Sequence, residues 1–282
     1  AELLEDGAIG ELNVVQASIN RISALGAWNY SIPPDASAET CDWDRFVGPA
    51  PDRPFDADRF FRWRKYWDYG TGIPGDLFVH RFSGLHRVTG SIGPETIWAT
   101  GGLRHWNDGR EAPDVMLGLY DYPETEAHPE FTFALQVSLA AGGGASPDFV
   151  FIGDAGAITI RGDEVSLSRN APSEPSIQGL MQGYNSARTF AKEQREELEE
   201  QYRAYMDVPR SEEAEERIGV STTYQAPGGY NNRVDHFRNF IAAIRGQAEP
   251  IEPGSFGLRA AAPALLSNRS YREEELVAWD PD

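Results

Sequence analysis

Cysteine is nearly absent from this chain. Cys41 is the only one in 282 residues, which excludes an internal disulfide framework and a cysteine-rich zinc site. Lysine is almost as scarce: of 25 basic residues only Lys65 and Lys192 are lysine, and the rest are arginine. No apolar run approaches the roughly 18 residues that a membrane-spanning helix needs, so no membrane partner is expected. Basic residues are outnumbered by 44 acidic ones, for a formal net charge of −19. Nucleic acid is not an expected partner, because gripping phosphates takes a basic face. The charge reads first as a soluble, self-repelling surface. No G-x-G-x-x-G follows a strand-like run, no Walker motif occurs, and no G-x-S-x-G elbow supports a serine hydrolase.

What is present reads as one α+β domain over 1–282: an open, mostly antiparallel sheet with flanking helices. Residues 11–19 alternate apolar and polar and predict a strand; so do 94–101, 114–122 and 131–140. Residues 148–169 predict three short strands joined by glycine-containing turns. Helices are predicted over 72–89, 187–206, 232–246 and 254–268, with a short acidic helix start at 211–217, irregular chain over 170–187 and a last strand at 275–279. Residues 29–58, rich in proline and aspartate, form a long loop whose Trp43 and Phe46 should pack it down, with Trp28 just before it. The first residues, without initiator Met or signal features, read like the interior of a longer protein; cytoplasm is the default compartment, and export stays open.

The candidate chemistry lies in 75–89. On a helix, Phe78, Phe82, Leu85 and Val88 form one apolar stripe, while Asp76, His80, Ser83 and Arg87 share another face. A carboxylate one turn from an imidazole orients it and fixes its tautomer, which suits acid–base work near neutral pH. On spacing alone, Asp76 reads first as a cap of the helix after Pro74-Gly75, and His80 as a partly buried surface residue. A metal reading through Asp76, His80 and His86 lacks a clear further ligand. His105, His128 and His236 are scattered and read as structural or surface residues.

Five stretches together resemble one family: "DGAIGELNVV" (6–15), "RWRKYWDYGTGIPGDLFVH" (62–80), "GDAGAITIRGDEVSL" (153–167), "VDHFRNFIAAIRGQAEPI" (234–251) and "ALLSNRSY" (264–271). Their order and spacing are similar to the C-terminal domain of the Gfo/Idh/MocA oxidoreductases, the glucose–fructose oxidoreductase and inositol dehydrogenase group. The resemblance implies a partner Rossmann domain holding NAD or NADP, outside this chain, so this chain alone is not expected to bind either cofactor. It implies a D-x-x-x-H catalytic pair, matched by Asp76 and His80, acting with a lysine of that other domain. Where some members carry a further aspartate after the histidine, this chain has Ser83.

The implied activity is NAD(P)-dependent oxidation of a sugar or polyol hydroxyl, with Arg64, Lys65 and Tyr69 placed before the catalytic helix to reach substrate. An ordinary salt-bridged loop is the alternative for those three. A stand-alone sugar-binding or interaction domain, and a keto-sugar hydratase or lyase, are the alternatives for the whole chain. In 131–137, Phe131, Phe133, Leu135 and Val137 alternate with Thr132, Ala134 and Gln136. The second face is too weakly charged for water, so it is expected to meet a second copy, as the family's habit also implies, or to lie under loop 29–58.

Overall fold

The computed structural model describes residues 1–143, 146–169, 186–206 and 221–281. The expectations for 170–185 and 211–217 lie outside the described residues. In chain order the elements are α1 (Glu2–Glu5), β1 (Leu12–Asn20), α2 (Trp43–Val47), α3 (Ala57–Phe61), a 3-10 turn Trp63–Lys65, a π-helical turn Pro74–Phe78, and α4 (Val79–Thr89). There follow β2 (Thr96–Gly102), β3 (Val115–Tyr122), β4 (Phe131–Ser138), β5 (Phe149–Gly153), β6 (Gly156–Arg161) and β7 (Glu164–Arg169). A 3-10 turn Ser186–Thr189, α5 (Lys192–Met206), β8 (Ser221–Gln225), α6 (Asn232–Ile244), α7 (Gly254–Glu273) and β9 (Val277–Ala278) complete the order.

The nine strands form one open sheet in the order β8-β7-β6-β5-β1-β4-β3-β2-β9. Every pairing is antiparallel except β1 with β4, which run parallel from Val14 beside Thr132 to Asn20 beside Ser138. The mostly antiparallel α+β expectation therefore describes the fold. Gly10 closes the entry to β1 at φ 72°, where a β-carbon would lie 1.8 Å from Asp154 Oδ1. That carboxylate accepts the Glu11 N–H at 2.8 Å and so fixes the start of β1 against β5.

Alternation decides which face is buried. Phe131, Phe133, Leu135 and Val137 of β4 point into the core, with Val15 and Ala17 of β1, Met116 and Tyr120 of β3, and Ile97 of β2. The covering layer is the stripe Phe78, Phe82 and Leu85, all fully buried, together with Ala260 and Ala264 of α7. Phe82 stands edge-on to Tyr120 and Phe133, with ring centroids 4.8 and 5.7 Å away. Each fully buried aromatic of this kind contributes about 2–3 kcal/mol of burial. Tyr120 bonds Ser267 of α7 at 2.9 Å, and Ser270 accepts the Ala99 N–H at 2.9 Å, which locks α7 to β3 and β2. Arg81 of α4 reaches Ser18 O of β1 at 3.0 Å and Asp148 at 2.7 Å beside β5. The helix that carries the candidate site is thus bolted to the sheet from both flanks.

Two surfaces stay uncovered by the described residues. On the outer sheet face Trp98, Leu117 and Leu119 are 40%, 42% and 52% exposed, around a depression of about 610 Å³. No residue of 29–58 is among those lining it. The amphipathic pattern of 232–246 does form α6, capped by Asn231. Its apolar side chains Val234, Phe237, Phe240, Ile241 and Ile244 are nevertheless exposed. Among the described residues no helix is long and apolar enough to cross a membrane.

Candidate active site

The loop leading to α4 folds onto itself before it meets the sheet. Trp43 packs against Phe46, Phe55, Phe60 and Tyr69, with centroids between 5.5 and 6.5 Å, and Trp28 is almost fully buried. Asp56 caps α3 by accepting the Asp58 and Arg59 N–H groups. The loop is therefore a small satellite core, as its aromatic content predicts.

Lys65 anchors it. Its side chain is fully buried, and Nζ meets Asp58 Oδ2 at 3.0 Å, Asn29 Oδ1 at 3.3 Å and Asp108 Oδ2 at 3.6 Å. Arg110 and Arg62 complete the charges, on Asp108 at 2.8 Å and Asp58 at 2.7 Å. Burial alone would raise the Asp58 carboxyl; hydrogen bonds from Tyr66, Lys65 and Arg62 outweigh it and hold it below the usual carboxylate range. Asp108 follows the same logic and lies well below that range, its burial overcome by Arg110, Asn29 and Lys65. Tyr66 is pushed up by burial and by the Asp58 carboxylate that accepts its hydroxyl proton. The Lys65 carbonyl also accepts the Glu111 and Ala112 N–H groups, at 3.0 and 2.9 Å. Tyr69 is half-buried, and its hydroxyl is buried without a hydrogen-bond partner among the described residues.

Arg64, next to this anchor, points elsewhere. Its Nε donates to Asp76 Oδ1 at 2.7 Å, and its guanidinium lies 4.2 Å from the Trp63 ring centroid. Asp76 sits inside the π-helical turn, where the Val79 N–H reaches back to Pro74 O. Pro74 brings no N–H of its own, which favours such a turn at a helix entrance. The predicted single helix over 72–89 is thus a π turn running into α4, and Asp76 and His80 straddle the change. His80 is exposed on the first turn of α4, with no hydrogen bond to a described residue, Asp76 included. Asp76 is half-buried.

The other histidines separate cleanly. His86 faces the core, with Nε2 2.9 Å from the Tyr122 hydroxyl, and burial pushes it down to about 4. His128 is buried against Ser91 at 2.9 Å. Among the described residues no three His, Cys, Asp or Glu side chains gather around a metal position. The arrangement offers an accessible imidazole, a half-buried carboxylate beside it in sequence, and a guanidinium holding that carboxylate. Asp58, Asp108 and Arg110 escaped the sequence reading, because nothing local links them to Lys65.

Residues 70–75 spell G-x-G-x-x-G before a helix, yet they follow a 3-10 turn rather than a strand. A β-carbon on Gly70 would lie 3.0 Å from Trp63 O, on Gly72 2.8 Å from the Trp67 ring, and on Gly75 1.9 Å from Thr71 Oγ1. The space these glycines open is filled by the chain itself. It does not fit the pyrophosphate of a dinucleotide, which needs that space empty at a helix N-terminus.

The model of the oxidoreductase family C-terminal alpha/beta domain, of Gfo/Idh/MocA type, matches residues 1–278. The chain belongs to that family. A search of curated proteins gives no match. Among solved structures, this Gfo/Idh/MocA domain is similar to the aldose-aldose oxidoreductase from Caulobacter crescentus complexed with glycerol, at TM-score 0.57 and 14% identity, covering 99% of this chain and 58% of that one. It is similar also to the WlbA dehydrogenase from Bordetella pertussis in complex with NADH and UDP-GlcNAcA, at TM-score 0.55 and 13% identity, covering 100% of this chain and 59% of that one. At these identities the likeness concerns the fold. The chain spans about three fifths of the length of each.

Proposed function

We propose that this domain is the substrate-binding and catalytic half of an NAD(P)-dependent oxidoreductase acting on a sugar or polyol hydroxyl. The observation that carries the reading is the accessible His80 on the first turn of α4, four residues after an Asp76 that Arg64 holds in place. His80 takes the proton of the substrate hydroxyl, and Asp76 shapes the polar wall beside it. Arg64 contacts substrate directly, while Lys65 and Tyr69 act from behind it by holding the loop. The cofactor belongs to a separate domain, because the glycines before α4 are packed shut. The NADH and UDP-GlcNAcA bound by the Bordetella protein and the glycerol bound by the Caulobacter protein support a nicotinamide cofactor and a sugar-like ligand.

We infer further that the outer sheet face pairs with a second copy of this chain. Trp98, Leu117 and Leu119 make that face apolar where an exposed sheet would carry charge. An interface there would bury on the order of 1,000 Å² or more.

The test of the function is oxidation by the full product of the gene. A panel of sugars, sugar acids and polyols is supplied with NAD⁺ or NADP⁺, and reduced nicotinamide is followed by its absorbance. Substrate-dependent reduction with at least one panel member is expected. A panel that gives none with either cofactor overturns the reading.

A further inference from the structure

Arg64 differs from the arginines around it in how it spends its donors. Arg59 places Nη1 on Asp68 and Nη2 on Glu111, while Arg81 commits Nη2 to Ser18 O and Asp148, and Arg110 commits Nη2 to Ala27 O and Asp108. Arg62 uses Nε on Tyr30 O and Nη1 on Asp58. Arg64 uses Nε alone, on Asp76, and neither Nη1 nor Nη2 has a hydrogen-bond partner among the described residues. Its side chain is 31% exposed.

This open fork is rigidly mounted. The ring of Trp63 supports one side of the guanidinium at 4.2 Å, and Tyr30 lies 6.0 Å away. The next residue, Lys65, is fixed by its buried ion pairs. Gly70 lets the chain fold back so closely that a β-carbon there would lie 3.1 Å from Arg64 Cα. A cation held this way loses little freedom when it binds a ligand. Its four unspent N–H groups lie in one plane and offer donors only. Their natural complement is a group of acceptors with paired oxygens, a carboxylate or a phosphate, rather than a hydroxyl that must also donate.

We propose that the substrate of the Asp76–His80 site carries such an oxyanion, bound by Nη1 and Nη2 of Arg64. The substrate class is a sugar acid or a sugar phosphate, not a neutral polyol. This deepens the proposed function and rests on it. The Asp76 carboxylate on the same guanidinium competes for its charge, so the proposal fixes the sign of a second variant: removing that charge should strengthen anion binding.

The experiment titrates the full product of the gene with D-glucuronate, D-glucose 6-phosphate and D-glucose. NMR follows the Arg64 Nε–H and the His80 ring. One of the two anions should bind about tenfold or more tighter than glucose and move both signals, the gain expected of charged hydrogen bonds. Which anion gains tells a carboxylate from a phosphate. Arg64→Gln should bring the anion down to the level of glucose. Asp76→Asn should tighten the anion several-fold and leave glucose no tighter, which keeps the proposal testable even if Arg64→Gln disturbs the loop. Equal binding of all three ligands with movement of His80, or weaker anion binding in Asp76→Asn, overturns the proposal and leaves the site standing. No movement of His80 with any ligand overturns the site reading, and this proposal with it.

Discussion

His86 should make the domain acid-sensitive in a window set by its burial. It lies on α4 with its side chain almost wholly buried, Nε2 on the Tyr122 hydroxyl and Nδ1 without a partner among the described residues. Burial first, and then the nearby charges of Arg259 and His128, push it down to about 4. In the unfolded chain the same imidazole titrates near 6.5. As pH falls from about 6.5 to about 4, the unfolded chain takes up a proton that the folded chain refuses. Stability is therefore lost through that window; the loss is absent above it and complete below it. Worked from the two values, the loss is about 2 kcal/mol at pH 5 and about 3 kcal/mol at pH 4. His86→Gln keeps a polar partner for Tyr122 and does not titrate. Urea unfolding of both chains at pH 7, 6 and 5 isolates the effect, because the carboxylates are common to both. The parent should lose about 2 kcal/mol more than the variant between pH 7 and pH 5. Parallel losses would refute the reasoning.

Lys65→Met leaves the Asp58 and Asp108 carboxylates without their shared cation, and should cost about 3 kcal/mol in urea unfolding; a loss below about 1 kcal/mol would mean that Arg62 and Arg110 suffice. Leu119→Lys puts a charge in the middle of the outer sheet face. If that face pairs two copies, light scattering should show the parent as a dimer or larger and the variant as a monomer, whereas equal masses would remove the sheet from the interface.

The elements that can be read from this sequence are those whose periodicity is local. Phe131, Phe133, Leu135 and Val137 alternate strictly and all enter the core. Phe78, Phe82 and Leu85 keep helical spacing and form the covering stripe, even though the π turn ends at Phe78. The three short strands of 148–169 follow from their turns, as β5, β6 and β7. Other features depend on partners distant in the chain. The parallel pairing of β1 with β4 joins residues more than a hundred positions apart, and β8 has a polar text that shows no alternation. Helix α7 runs on to Glu273, past the predicted end at 268, because its Ser267 and Ser270 are held by β3 and β2. In the site, Asp76 and His80 were legible as a spacing, and Arg64 as a neighbour. Arg64's bond to Asp76 spans twelve positions and a change of helix type, and no local pattern encodes it. Lys65 reads from the sequence either as reaching substrate or as part of a salt-bridged loop; Asp58 and Asp108, brought to it by the fold, give it its buried ion pairs.

The central claim is that His80 works on the substrate hydroxyl, and steady-state kinetics of His80→Ala in the full gene product tests it most directly. The substrate is whichever panel member the parent oxidises, and urea unfolding confirms that the exposed substitution leaves stability unchanged. The account predicts that kcat falls by about 10²–10⁴-fold, the range for loss of a general base. A variant that is folded, binds substrate and keeps kcat within about twofold of the parent would contradict it.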